Sequence, residues 1–110
     1  INDGVQGEVK LTPEILTPDN DGWDDFAQIN YQFPQSGYVA NITIFDAAGR
    51  IVKSLQKNAV CGTKGSFRWD GLGDKSQQLP TGVYVILTDV FNLSGQRKQF
   101  KNTIVVARRN

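Results

Sequence analysis

Hydrophobic and polar residues alternate along most of this chain, as they do in strands that bury one face of a sheet. The run FAQINYQF places Ile29, Tyr31 and Phe33 on one face and amides on the other, and YVANITIFD repeats the pattern with Ile42 and Ile44. Gly or Pro interrupts the alternation roughly every ten residues, and helical periodicity is nearly absent. The pattern predicts an all-β protein.

About seven strands are predicted, at a spacing typical of a β-sandwich. The run GVYVILTDVF, residues 82–91, is apolar on both faces, which favours a central position in its sheet. A first strand is expected within Glu8–Leu16, and Arg50–Gln56 pairs as a hairpin with the strand before it, ahead of a looser Lys57–Lys64. SFRWD and RKQFKNTIVVA complete the set. We expect a two-sheet antiparallel β-sandwich, immunoglobulin-like or fibronectin-type-III-like.

The 110 residues are enough for one domain with one core. Residues 1–7 are polar and contain glycine, which is typical of a tether from a preceding domain, and residues 8–110 form the sandwich domain. The chain starts with Ile1 and contains no Met, so we expect a piece of a larger protein.

The charge is nearly balanced, since 12 Lys and Arg residues face 11 Asp and Glu residues. A net charge of +1 gives no field that would attract nucleic acid or an anionic membrane. No apolar run approaches the length of a transmembrane span, so membrane insertion is not expected. The basic residues near the end of the chain are interpreted as a solvated strand face and a charged terminus: Arg97, Lys98, Lys101, Arg108 and Arg109.

Catalytic side chains are scarce. The chain has no His, and its single cysteine, Cys61, lies beside Gly62 in a stretch that reads as a loop without a neighbouring base. We interpret Cys61 as an incidental thiol and expect no enzymatic activity and no required cofactor.

The segment TPDNDGWDDF concentrates carboxylates that repel one another unless a cation, backbone amides or water offset their charge. Two hypotheses follow: a structural calcium ion that ties the first strand to the second, or a turn held by side-chain hydrogen bonds to the backbone. The spacing lacks the terminal glutamate of an EF-hand loop. The candidate calcium ligands are Asp19, Asp21, Asp24 and Asp25.

Trp23 lies within that acidic segment and is the best candidate for ligand binding, by stacking on a glycan ring or a partner protein. The alternative is that Trp23 caps the bottom of the sandwich core. Trp69, which shares a strand face with Phe67, is predicted to belong to the core.

Three turn motifs are predicted to be structural. Gly49 supplies a positive φ in a hairpin, Gly71 does so after Trp69, and Pro80 begins the approach to the central strand. The residues of these motifs are Asp46, Gly49 and Arg50; Trp69, Asp70 and Gly71; and Pro80, Gly82 and Tyr84.

These motifs carry a family resemblance over about Leu11–Arg108. The succession TPDNDGWDDF, ITIFDAAGRIVKSL, FRWDGLGDKSQQLPTGVYVILTDVF and a final TIVVARR resembles the immunoglobulin-like domain of flagellar hook-capping proteins. It is still more similar to related C-terminal modules of secreted and surface proteins of Bacteroidetes-type bacteria, including lamin-tail-domain proteins. It also resembles the C-terminal sorting domains of type IX secretion, through D-x-x-G-R, L-P-x-G-x-Y and a terminal basic strand.

The resemblance implies a non-catalytic module outside the cytoplasm, on the cell surface, secreted or periplasmic. We expect a C-terminal accessory module that positions or sorts the upstream domains of the same polypeptide, with secretion machinery or a surface partner as its contact. Two alternatives remain open: a carbohydrate or surface-adhesion module that uses Trp23, and a hook-cap-like domain that assembles with copies of itself.

Overall fold

The computed structural model describes residues 7–12, 14–17 and 26–107. These residues form two β-sheets and no helix. No helix in the described part is therefore long and apolar enough to cross a membrane. The strands are β1 (Glu8–Thr12), β2 (Ile15–Leu16), β3 (Ala27–Gln32), β4 (Tyr38–Asp46), β5 (Ile51–Cys61), β6 (Lys64–Trp69), β7 (Gly82–Phe91) and β8 (Arg97–Val106).

The two sheets have the orders β1-β3-β6 and β2-β8-β7-β4-β5. This all-β, immunoglobulin-like sandwich confirms the predicted fold class, and β7 occupies the predicted central position in the larger sheet. The described residues contain eight strands, because the single first strand expected within Glu8–Leu16 is two strands in different sheets. After Thr12 the chain leaves the smaller sheet, and Ile15 and Leu16 then pair in parallel with β8, an exception to the antiparallel expectation.

Strand β5 is longer than predicted and runs through the segment that was expected to be loose. Its pairing with β4 shifts register at three places, and Asn58 has a φ of 53°. The side-chain oxygen of Asn41 accepts a hydrogen bond from the Asn58 N–H at 2.9 Å, which supports this irregular conformation. A strand with bulges loses strict alternation, and for that reason its sequence resembles a loop.

The core lies between the inward faces of the two sheets and is aliphatic at its centre. Trp69, Ile42, Ile44, Ile86 and Ile104 are almost completely buried. Burial of one such side chain contributes about 1.5–3 kcal/mol relative to exposure. The inward residues of β3 and β4 are the ones that the alternation pattern predicted.

An aromatic row closes one end of the core. The rings of Phe67 and Tyr31, and of Tyr31 and Phe33, have centroids 5.4 Å apart, and Tyr38 continues the row at 5.1 Å from Phe33. Tyr31 lies across Gly65 on β6, where an added Cβ atom would lie 2.5 Å from the Tyr31 hydroxyl. Gly65 is therefore required for this close approach.

Candidate recognition surface

The acidic segment and its tryptophan lie outside the described residues. The calcium hypothesis for Asp19, Asp21, Asp24 and Asp25 and the ligand-binding hypothesis for Trp23 therefore stay predictions. Within residues 7–12, 14–17 and 26–107, no cluster of three or more Cys, Asp or Glu side chains could hold a metal ion.

The turn between β4 and β5 is held by one carboxylate. Asp46 Oδ1 accepts hydrogen bonds from the backbone N–H groups of Ala48 at 3.0 Å and Arg50 at 2.9 Å, while Oδ2 accepts one from Arg50 Nε at 2.9 Å. Gly49 has a φ of 84°, as predicted. The Arg50 N–H is the main cause that lowers the pKa of Asp46, and desolvation opposes it only in part.

The turn between β7 and β8 has the same construction, a likeness that was not predicted from the sequence. Asn92 Oδ1 accepts hydrogen bonds from the N–H groups of Ser94 at 3.1 Å and Gln96 at 3.0 Å, and Gly95 has a φ of 85°. The signal was available in the sequence, because N-x-x-G-Q has the same spacing as D-x-x-G-R. An amide replaces the carboxylate in the same geometry.

The W-D-G motif closes the end of β6. Trp69 Nε1 donates a hydrogen bond to the Leu72 carbonyl at 2.9 Å, and the Leu72 N–H donates one to Asp70 Oδ1 at 3.1 Å. Gly71 has a φ of 80°, as the sequence predicted. The indole N–H therefore has a hydrogen-bond acceptor within the protein. With an exposure of 1%, Trp69 belongs to the core, as expected.

The L-P-T-G-V-Y motif anchors the start of β7, whose first residue is Gly82. The Tyr84 hydroxyl donates a hydrogen bond to the Pro80 carbonyl at 2.6 Å, and its ring meets that of Trp69 edge-on at 6.1 Å. A tyrosine that bonds back to the chain just before a central strand is the tyrosine corner of immunoglobulin-like domains. The motif residues therefore join the two sheets and form no open site.

Cys61 lies at the end of β5, not in a loop as the sequence suggested. Its side chain is 1% exposed, and Sγ donates to the Ala59 carbonyl at 3.6 Å. Burial raises the pKa of this thiol, so that the reactive thiolate is disfavoured.

The outer faces of the two sheets differ sharply in polarity. The outward residues of the smaller sheet are all polar or charged: Glu8, Lys10, Thr12, Gln28, Asn30, Gln32, Lys64, Ser66 and Arg68. On the larger sheet, Phe45 pairs with Ile51 and Val85 to form an apolar row across three strands. A shallow pocket of about 420 Å³ lies on this face and includes Leu87 and Lys101 in its lining. This outer face, unlike that of the smaller sheet, offers apolar surface to a partner.

Residues 10–106 match the family of CHU_C type IX secretion signal domains. The chain belongs to this family. Because a type IX secretion signal marks proteins that are exported to the cell surface or secreted, the predicted extracytoplasmic location is confirmed. The resemblance to type IX sorting domains is confirmed as well, whereas the hook-capping and lamin-tail associations stay predictions.

Two solved structures share the fold of this signal domain. PorZ, an essential bacterial surface component of the type IX secretion system of Porphyromonas gingivalis, is 24% identical with a TM-score of 0.56; the match covers 91% of this chain. This chain spans only 11% of the length of PorZ. CopC from Methylosinus trichosporium OB3b is 16% identical with a TM-score of 0.59, over 96% of this chain and 97% of CopC. A search of curated protein sequences gives no match.

Proposed function

We propose that this signal domain is a non-catalytic sorting module, placed at the C-terminus of a larger exported protein and read by the type IX secretion machinery. The upstream domains are the exported part of the protein, and the sandwich is the folded signal for their secretion. The observation that carries the proposal is the family match over residues 10–106, which spans nearly the whole sandwich.

The chemistry of the chain supports a role without catalysis. The chain contains no histidine, and its only thiol is buried with a raised pKa. The turn residues Asp46, Trp69 and Tyr84 are engaged in hydrogen bonds that hold the fold. A sorting module needs a stable shape, and these residues provide it.

An export assay tests the proposal. A reporter enzyme with an ordinary signal peptide is fused to residues 1–110 and expressed in a bacterium that has a type IX system. We expect the reporter on the cell surface or in the medium, and in the periplasm when the same strain lacks the type IX translocon.

A fold-matched control separates recognition from mere folding. CopC of Methylosinus trichosporium OB3b shares the sandwich at a TM-score of 0.59 and serves as the alternative C-terminal fusion. The CopC fusion should stay in the periplasm. Export of both fusions, or of neither, would show that this sandwich carries no specific export signal.

A further inference from the structure

The edge of the larger sheet formed by β8 is regular, and the described residues leave most of it uncovered. Strand β8 pairs with β7 along all its residues without a register shift. On its other side, β2 pairs only with Val105 and Val106. In the described ranges 7–12, 14–17 and 26–107, no other strand pairs with β8, so the stretch from Arg97 to Thr103 is an open edge.

The backbone groups at this open edge belong to alternate residues. The Val105 N–H donates to the Glu14 carbonyl at 2.9 Å, so odd-numbered residues of β8 direct their backbone groups away from β7. The even-numbered residues bond to β7 instead. The residues whose N–H and C=O groups face the open side are Arg97, Gln99, Lys101 and Thr103.

A groove of about 780 Å³ lies between β1 and β8 and meets the open edge at Lys101, Asn102 and Thr103. Val9, Leu11 and Ile15 give it an apolar lining. Asn102 also lines the groove, and its Oδ1 is buried without a hydrogen-bond partner among the described residues. A buried acceptor without a donor is costly. The apolar lining of the groove offers contact to the side chains of an added strand.

The charges beside the edge favour an acidic partner. Arg97 is paired with Asp89, and the Lys98 Nζ lies 5.4 Å from the centre of the Phe100 ring. Within the described part of the chain, neither Lys98 nor Lys101 forms an ion pair with a carboxylate. Lys101 is exposed and lines both the outer-face pocket and the groove. The charged residues in the lining of the groove are Lys10, Lys101 and Glu14, so basic side chains outnumber the acidic one.

We propose that the β8 edge between Arg97 and Thr103 binds an extended segment of another protein, in which carboxylate and aliphatic side chains alternate. The segment adds a strand to the sheet through backbone hydrogen bonds, as in other cases of β-strand addition. Because side chains alternate with a period of two, its carboxylates lie beside Lys101 while its aliphatic side chains enter the groove. The inference does not depend on the proposed export function.

A second copy of this chain is a poor occupant of the same edge. Pairing of two β8 edges brings together two sets of basic residues, and like charges directly opposite one another are destabilising. Lysine on an exposed edge also opposes association between copies. Two lysines that form no ion pair within the described residues thus disfavour self-assembly and favour a segment of opposite charge: Lys98 and Lys101.

Peptide binding to residues 1–110 tests the proposal. The probe is a fluorescein-labelled peptide of about seven residues, a usual strand length, in which glutamate alternates with valine. Two controls replace glutamate by lysine or scramble the order so that the alternation is lost. We expect saturable binding of the alternating acidic peptide alone by fluorescence anisotropy, with amide chemical-shift changes at Gln99, Lys101 and Thr103.

Variants locate the site. Lys101→Glu should weaken binding by about fivefold, as expected for an exposed ion pair, whereas Lys57→Glu on β5 should leave binding unchanged. Gln99→Pro removes one free N–H at a position that makes no bond to β7, and should abolish binding while the circular dichroism spectrum stays unchanged.

Several results would overturn the proposal. These are the absence of saturable binding, equal binding to the Lys101→Glu variant, or shifts confined to β5 or the outer sheet face. Concentration-dependent dimers that protect the β8 amides would assign the edge to a second copy. Binding that appears only after residues 1–6 are removed would assign it to the chain's own N-terminal segment.

Discussion

The two long strands that flank β7 and β4 in the larger sheet, β8 and β5, both follow hairpin turns of the same construction. A loop covers part of the β5 edge, whereas most of the β8 edge is open in the described residues. Asp46 organises the turn into β5, and Asn92 organises the turn into β8 through equivalent hydrogen bonds. Beyond the turns the two strands differ in regularity. The pairing of β5 with β4 shifts register repeatedly, whereas the pairing of β8 with β7 does not shift at all. The hydrogen bonds of the turn therefore stabilise the hairpin but do not determine whether the outer edge of its second strand is covered.

A loop that is distant in sequence accounts for part of the difference between the β5 and β8 edges. The Ser54 N–H donates to Asp74 Oδ1 at 3.0 Å, and the Asp74 N–H donates to the Val52 carbonyl at 3.1 Å. The loop between β6 and β7 thereby occupies backbone groups of β5 that would otherwise be free. Natural sheets protect edges with bulges and covering loops, and β5 has both.

The largest expected effect comes from Trp69→Ala, which removes the anchor of that covering loop. The loss of a buried tryptophan should lower the free energy of unfolding by about 3–5 kcal/mol, measured by urea denaturation. Hydrogen exchange at Ser54 should accelerate more than exchange along β8. The control is Leu93→Ala at the tip of the β7–β8 turn, where the side chain is 97% exposed and stability should change by less than about 0.5 kcal/mol.

Calcium gives the next largest effect if the acidic segment at Asp19–Asp25 binds it. A site saturated at about a hundred times its dissociation constant stabilises the fold by about 2.7 kcal/mol. The melting temperature should rise with calcium and fall with chelator, and the Val105 amide, which bonds to the residue before β2, should exchange more slowly. An unchanged melting temperature would leave the acidic segment as a hydrogen-bonded turn.

Asp74→Ala should have a smaller effect, because it removes one exposed hydrogen bond between the loop and β5. We expect a loss of about 1 kcal/mol and faster exchange at Ser54, with Lys75→Ala as the neighbouring control. If exchange at Ser54 is equally slow in both variants, the loop does not protect this edge through Asp74.

The smallest effect concerns pH and compares the two turns directly. The pKa of Asp46 is below its ordinary value of 3.8, so its stabilising contribution is fully present above that pH and is lost as the pH falls through the lower folded-state pKa. Asp46→Asn recreates the chemistry of the Asn92 turn and should fold normally without this acid dependence. A side-chain NMR titration of Asp46 with a midpoint at or above 3.8 would contradict the assignment.

The sequence alone was sufficient to predict the regular strands and the residues of the core. Strict alternation identified β3 and β4, and apolar residues on both faces identified β7. The burial of Trp69 followed from the strand face that it shares with Phe67. Strand β5 was predicted to end too early, because Asn58 and the bulges around it interrupt the alternation of apolar and polar residues.

Features that depend on long-range contacts could not be predicted in this way. The division of Glu8–Leu16 between two sheets depends on which strand each half meets, and alternation within one strand carries no such information. The covering of β5 depends on Asp74, which is 20 residues from Ser54 in the sequence. From the sequence, β8 was therefore interpreted only as a solvated basic strand, and its open edge was not predicted.

Amide hydrogen exchange along both edges of one sample tests the central structural claim most directly. The account predicts an alternating pattern in β8, with fast exchange at Gln99, Lys101 and Thr103, slow exchange at the even-numbered residues between them, and protection of Ser54 on β5. Uniform protection along β8 from Arg97 to Thr103, or rapid exchange at Ser54, would contradict it.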